Sequence, residues 1–165
     1  MKHRFLAAAV LALAQAAAAQ SVPAANYTDM WWNPAESGWG VSFTQHVATN
    51  QAYAVWYTYD PREPDNTTLA DAGDFKPLWI VMSGGQWLTP TQMRGEVFVA
   101  NGTPFFQSGS STVVQSVGTF TFTFNDVDHA TFQYEIAPPA GLASTNPAFG
   151  LPAFSGAKAI TRQSF

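Results

Sequence analysis

The chain of 165 residues contains no cysteine and few basic residues. The absence of cysteine excludes disulfide bonds and thiol catalysis, so the fold depends on packing and hydrogen bonds. After residue 19 there are only five Lys and Arg against eleven Asp and Glu, a net charge of −6. Because nucleic acids and anionic membrane surfaces attract basic proteins, this acidic balance argues against both as partners.

The chain also lacks an apolar run of the ~20 residues that a membrane-spanning helix needs. Its longest apolar run, residues 5–14, follows a basic start and precedes a string of small residues that ends at Ala19. That order is typical of a secretory signal peptide. We therefore predict a signal peptide over residues 1–19, export to the periplasm or the extracellular space, and a single domain over residues 20–165.

Helical periodicity is missing from the remainder of the chain, and aromatic residues are abundant. Short segments instead alternate apolar and polar residues with the period of two that is typical of half-buried strands. In residues 117–124, Phe120, Phe122 and Phe124 alternate with threonines, and residues 129–136 repeat the pattern. About eight such segments, joined mostly as hairpins, predict an all-β fold. We expect an antiparallel up-and-down barrel, with a two-sheet β-sandwich as the alternative.

Glycine dipeptides and a polar segment mark the predicted turns and loops. Gly84–Gly85 predicts a hairpin turn that leads into a return strand over residues 86–88, and Asn101–Gly102 predicts the end of the following strand. Residues 61–74 are polar and predict a loop long enough to cover one barrel end.

Residues 52–60 carry aromatic side chains on both faces of one predicted strand. Tyr53, Tyr57 and Tyr59 alternate onto one face, and Trp56 lies on the other. We therefore expect both faces to be covered, one by the barrel core and the other by a loop, a partner protein or a ligand.

Several segments together carry the pattern of a known family. They are WWNPAESGWGV at 31–41, AVWYTYD at 54–60, PLWIVM at 77–82 and KAITRQ at 158–163, with shorter matches at 117–119 and 132–134. The chain thereby resembles a family of secreted bacterial proteins that carry this domain singly or in tandem. The resemblance implies bacterial export and one complete domain, and it implies no activity. In that family a tight turn joins the YD and PLW segments, whereas residues 61–76 are longer here.

The opening turn is also similar, over a few residues, to that of avidin-type barrels. This second resemblance implies a barrel architecture and no particular ligand.

The tryptophans and tyrosines predict a ligand site at one barrel end. Such rings stack on a sugar or a small apolar molecule, and nearby polar groups set its orientation. The predicted ligand-binding residues are Trp31, Trp32, Asn33, Glu36, Trp39, Trp56, Tyr57 and Trp79. The alternative is that these rings only fill a small barrel.

Glu36 is the principal candidate for catalysis. Removal from water beside Trp39 would raise its pKa toward neutrality, and together with Asp60 it would suit a hydrolase or lyase. The structural alternative is a turn carboxylate that accepts backbone N–H groups or pairs with Arg94 or Arg162.

Metal and cofactor sites are not predicted. Asp126, Asp128 and His129 lie together, but a hairpin turn stabilised by Asx residues explains them without a cation. His46 and His129 lie far apart in sequence and lack an identifiable third zinc ligand.

These patterns predict an exported, non-enzymatic binding module for a carbohydrate or a small apolar ligand at an aromatic-lined barrel end. A protein partner on the outer aromatic face is a further hypothesis. The alternatives are a hydrolase or lyase that uses Glu36 and Asp60, and a structural envelope or adhesion module.

Overall fold

A computed structural model describes residues 21–62, 75–104, 106–107 and 112–164. The predicted signal peptide and all but the first two residues of the predicted 61–74 loop lie outside them. The regular structure within the described residues consists of strands alone. The eight strands are β1 (Asp29–Trp32), β2 (Gly40–His46), β3 (Gln51–Tyr59), β4 (Pro77–Thr89), β5 (Gln92–Gly102), β6 (Thr112–Phe124), β7 (His129–Ile136) and β8 (Phe154–Arg162).

The eight strands close into one barrel. Each strand pairs antiparallel with the next along the chain, and β1 also pairs with β8 through Trp31 opposite Arg162 and Trp32 opposite Thr161. This closure confirms the predicted antiparallel barrel and decides against the two-sheet sandwich. No helix in the described part of the chain is long and apolar enough to cross a membrane.

The period-two alternation places large rings inside the barrel. Phe120 and Phe122 are fully buried and Phe124 is 2% exposed, as predicted. Neighbouring rings contact one another along the interior, from Tyr27 stacked on Phe124 at 3.9 Å between centroids to Phe132 at 5.0 Å from Phe122. The interior is thus filled by aromatic side chains, as is usual in small barrels.

One predicted turn is wrong. Gly84–Gly85 lies inside β4, where the register with β5 shifts between Met82 and Gln86. Gly84 has a φ of +84°, and a Cβ on Gly85 would lie 2.6 Å from Met82 Cε, so these glycines form a bulge over which Met82 packs. The predicted return strand 86–88 is therefore the second half of β4.

Asn101 and Gly102 also belong to a strand. They pair with Val113 and Thr112, which extends β5 to Gly102 and begins β6 at Thr112, five residues before the predicted start at 117. The dipeptide lies at the end of the ladder, so the predicted end of this strand is within two residues of the observed one.

The two barrel ends are covered differently. The first, here the opening-turn end, carries residues 33–39 and the long loop 137–153, whose Ala148 and Leu151 are buried against the core. At the opposite end residues 21–28 pack across the barrel, with the amide of Ala24 donating to the Pro90 carbonyl at 2.7 Å.

Candidate functional site

The opening turn is held by Asn33. The backbone amide of Ala35 donates to Asn33 Oδ1 at 2.9 Å, and the amide of Glu36 donates to the Asn33 carbonyl at 3.0 Å. This Asx turn reverses the chain after β1, and Gly38, with a φ of +91°, supplies the left-handed conformation needed before β2. The turn therefore directs Glu36 and Trp39 toward the barrel rim.

Glu36 lies at the centre of a hydrogen-bond network. Lys158 Nζ on β8 and Trp39 Nε1 both donate to Glu36 Oε2, at 2.7 and 3.2 Å, and Asn33 Nδ2 donates to Oε1 at 3.2 Å. The bond from Lys158 lowers the pKa of Glu36; burial opposes this shift, and the bond from Trp39 adds to it. Glu36 pairs with Lys158 rather than with Arg94 or Arg162, the partners considered in its structural interpretation.

Asp60 forms a separate ion pair. Arg62 Nε donates to Asp60 Oδ1 at 2.8 Å and Nη2 donates to Oδ2 at 2.6 Å, while Nη1 donates to the carbonyls of Pro147 and Phe149. Burial raises the pKa of Asp60, but the hydrogen bonds and charge of Arg62 outweigh it and leave the pKa below its usual range. Asp60 and Arg62 thereby tie the end of β3 to the 137–153 loop.

Neither carboxylate has the raised pKa of a general acid. A general acid at neutral pH needs a carboxyl group that keeps its proton, as burial without a cation partner provides. Glu36 and Asp60 each accept hydrogen bonds from a cationic side chain and are ionised. This environment suits a structural anchor or a polar ligand contact better than acid catalysis.

The structure divides the predicted ligand-binding tryptophans between the core and the outside. Trp31 is fully buried and its Nε1 donates to the Tyr27 carbonyl at 3.0 Å; Trp56 is 7% exposed among interior rings. Trp39 is half-buried at the rim, with its ring centroid 6.5 Å from that of Trp56. Trp32 is half-buried and shares the outward side of β1 with Met30.

Tyr57 and Trp79 lie together outside the barrel. They are paired across β3 and β4 with ring centroids 6.1 Å apart and an interplanar angle of 79°. Tyr57 is 37% exposed and Trp79 is 64% exposed. The expected outer cover of β3 is therefore not supplied by the described residues.

An open groove at the opening-turn end brings several of these residues together. This rim groove has a volume of about 290 Å³ and is lined by Gly38, Trp39, Tyr57, Thr58, Tyr59, Pro77 and Trp79. The volume lies close to the lower limit of about 300 Å³ for small-molecule sites. Three of the predicted ligand residues, Trp39, Tyr57 and Trp79, line the groove.

Sequence reasoning missed the other groove residues and Lys158. Tyr59 shares the outer face of β3 with Tyr57, so the alternation pattern could have identified it. Pro77 lies opposite Tyr59 in the ladder, and Gly38 approaches the Tyr59 ring closely: a Cβ on Gly38 would lie 3.3 Å from Tyr59 Cε2. These contacts depend on strand register, which no local signal specified.

Two other grooves have a different character. One lies on the outer side of β5–β8, has a volume of about 480 Å³ and includes Arg94, Gln133 and Glu135 among mostly polar residues. The other, of about 260 Å³, lies at the opposite barrel end beside Trp87. Neither has a set of exposed aromatic rings, so the rim groove is the stronger candidate for a site that acts by stacking.

The Asp126–His129 segment forms a turn, as predicted. Asp126 Oδ1 accepts the backbone amides of Asp128 and His129, both at 2.8 Å, and lies 3.0 Å from His129 Nδ1. His46 Nδ1 lies 3.0 Å from Thr49 Oγ1 in another hairpin. The described ranges contain no group of three or more His, Asp or Glu side chains placed to hold a metal ion.

Comparison of the chain with protein-family models, curated proteins and solved structures finds no match. The resemblance to the family of secreted bacterial proteins stays a prediction.

Proposed function

We propose that this protein is an exported binding module whose rim groove accepts a carbohydrate or a small apolar ligand. The observation that carries the proposal is the set of exposed rings of Tyr57, Tyr59 and Trp79 around one groove, beside the half-buried Trp39. Export is proposed from the basic, apolar and small-residue order of residues 1–19.

Exposed rings suit a site for stacking. Large aromatic side chains clustered at a protein surface mark interaction sites, since scattered single residues are the usual case. The rings of Tyr and Trp offer an apolar face together with a polar edge, and this combination matches the alternating C–H and hydroxyl surfaces of a sugar.

The groove wall is held in place before any ligand binds. Glu36 accepts the Trp39 indole N–H and is itself held by Lys158, which restrains the orientation of the Trp39 ring. A preorganised wall lowers the entropy lost on binding and so favours affinity. The Glu36 network thus fixes the Trp39 wall of the groove.

The proposal is tested by titrating the protein with neutral oligosaccharides and with the apolar dye anilinonaphthalene sulfonate while tryptophan fluorescence is recorded. Trp79→Ala and Tyr59→Ala should each weaken binding of the responding probe by about tenfold or more. Tyr53→Ala is the matched control, because Tyr53 lies on the same face of β3 with a similar exposure of 46% but outside the groove. Equal effects at Tyr53 and Tyr59, or no saturable response to any probe, would contradict the proposal.

The enzymatic alternative is separated by one substitution. Glu36→Gln keeps the side-chain shape and an oxygen that accepts the Trp39 N–H, so a binding module should retain its ligand-induced fluorescence change almost unchanged. A hydrolase or lyase that depends on the Glu36 carboxylate would instead lose turnover. Product analysis of the incubated oligosaccharides by chromatography distinguishes the two results.

A further inference from the structure

The outward positions of β2–β4 carry no Asp, Glu, Lys or Arg, and the one histidine among them, His46, lies at the end of β2 away from the rim. This outer aromatic face consists of Gly40, Ser42 and Thr44 on β2, Tyr53, Val55, Tyr57 and Tyr59 on β3, and Pro77, Trp79, Val81 and Ser83 on β4. Its polar groups are the hydroxyls of serine, threonine and tyrosine. By contrast, the outward positions of β5 and β7 carry Arg94, Glu96 and Glu135.

Strand register arranges one row of this face across four strands. Trp79 lies opposite Tyr57, and Tyr57 lies opposite Gly40. On the other side of β2, the pairing of Trp31 with Val41 places Trp32 beside Gly40. The row therefore reads Trp32, Gly40, Tyr57, Trp79, with a glycine between two aromatic residues.

Gly40 leaves a notch in this row. A Cβ built on Gly40 would have a single neighbour within 4 Å, the Trp31 carbonyl oxygen at 3.4 Å, so the space above the backbone is open. Its φ is outside the left-handed region, which means that the fold does not need glycine there for conformational reasons. The open notch is thus a feature of the surface rather than a requirement of the turn.

We infer that this row, together with the rim groove, binds an uncharged polysaccharide chain that runs across the strands. The inference rests on the proposed function of the same groove and specifies its ligand. Three strand spacings span about 14 Å, comparable to about three sugar units, so the row extends well beyond a site for one ring. Trp79 belongs to both the groove and the row, which makes them one continuous surface.

Charge favours a neutral polymer over an acidic one. The face carries no Lys or Arg to pair with a carboxylate or sulfate, and the chain beyond residue 19 carries a net charge of −6 that repels polyanions. The rings of Tyr57 and Trp79 match the apolar faces of sugar rings, and the Tyr57 hydroxyl matches sugar hydroxyls.

The test is a chain-length series measured by isothermal titration calorimetry. The probes are glucose, xylose, mannose and N-acetylglucosamine and their linear oligomers of three and six units, with polygalacturonate as the charged polymer. At least one neutral series should show affinity rising tenfold or more from monomer to hexamer, and polygalacturonate should bind at least tenfold more weakly than that hexamer.

Gly40→Val tests the notch. Valine suits a strand, so the barrel should keep its thermal stability while the side chain obstructs the space between Trp32 and Tyr57. We expect about tenfold weaker binding of the hexamer and less than a twofold change for the monomer. Thr44→Val, which adds valine to the same face of the same strand beside Tyr53, should leave both affinities unchanged.

Specific results would overturn the inference. Any of three results would exclude a polysaccharide chain along this row: equal affinity for monomer and hexamer, tight binding of polygalacturonate, or no effect of Gly40→Val. If Trp79→Ala still weakened binding of a probe, the proposed function of the groove would hold without the chain. A saturable response to the apolar dye, with no response to any saccharide, would likewise exclude the polysaccharide chain and leave the proposed groove function in place. Self-association that Gly40→Val abolishes in sedimentation velocity would instead assign the face to contacts between copies of the chain.

Discussion

Trp56 and Tyr57 are neighbours in the chain and lie on opposite sides of the barrel wall. Trp56 is 7% exposed and its ring lies 4.7 Å from that of Tyr134 and 5.4 Å from that of Phe132. Tyr57 is 37% exposed, and among the described residues its ring contacts that of Trp79. Because successive side chains of a strand point to opposite faces, one step along β3 separates a residue that stabilises the core from one available to a ligand.

This comparison shows that aromatic content alone does not indicate what a ring does. The interior rings bury nearly all of their surface and contribute to the free energy of unfolding. The rings of the outer aromatic face leave much of theirs in water, so their removal should change binding and leave stability almost unaltered.

The strongest test of the difference is truncation of an interior ring. Phe132 is fully buried and packs against Phe120, Phe122 and Trp56. Phe132→Ala should lower the free energy of unfolding by about 3–5 kcal/mol, because a large cavity remains in a packed core. Urea denaturation followed by circular dichroism measures the loss. Trp79→Ala should stay within about 0.5 kcal/mol of the unchanged protein, and a similar loss for both variants would show that the outer rings are structural.

A smaller effect is expected where the opening turn contacts the outer rings. Gly38→Ala places a methyl group at a φ of +91° and 3.3 Å from Tyr59 Cε2, so we expect a loss of about 1–2 kcal/mol and weaker ligand binding. Gly141→Ala is the matched control, since Gly141 has a φ of +73° but no atom within 4 Å of its Cβ position. It should lose about 1 kcal/mol and keep full binding. If Gly38→Ala bound ligand as well as Gly141→Ala does, the contact with Tyr59 would be irrelevant to the groove.

The smallest effect concerns the charge network behind the groove. The folded pKa of Glu36 lies below its ordinary value of 4.5. The stabilisation from its ionised form is therefore complete above pH 4.5 and disappears as the pH falls through the lowered value. Lys158→Met should raise the pKa of Glu36 toward 4.5, so the acid-induced change in Trp39 fluorescence should move to higher pH.

Carboxyl carbon NMR measures the Glu36 titration directly. Arg94→Met serves as the control because Arg94 lies on β5 and pairs with Glu135 at 3.9 Å. An unchanged Glu36 titration in Lys158→Met would mean that the ion pair does not persist in solution.

Much of the fold followed from local patterns. The threonine–phenylalanine alternation of β6 predicted its inward residues because one face of a strand must be buried. Gly84–Gly85 misled because glycine serves bulges as well as turns. The order of Trp31 and Trp32 could not show which ring enters the core, since both residues fit a strand equally well.

The candidate site was less predictable than the fold. Glu36 and Lys158 are 122 positions apart in the chain. Tyr59 pairs with Pro77 across the connection between β3 and β4, and the length of that connection does not specify the register of the two strands. Such pairs are specified by the packing of the whole barrel, and a single sequence contains no local signal for them.

By itself, the sequence determined that this protein is a chain of short antiparallel strands rich in interior rings, because the period of two is a local property of residue order. Only the tertiary structure decided that β1 closes on β8, that Lys158 holds Glu36, and that Trp32, Gly40, Tyr57 and Trp79 form one row. The physical reason is that closure and register minimise the free energy of the barrel as a whole, through contacts between residues that are distant in the chain.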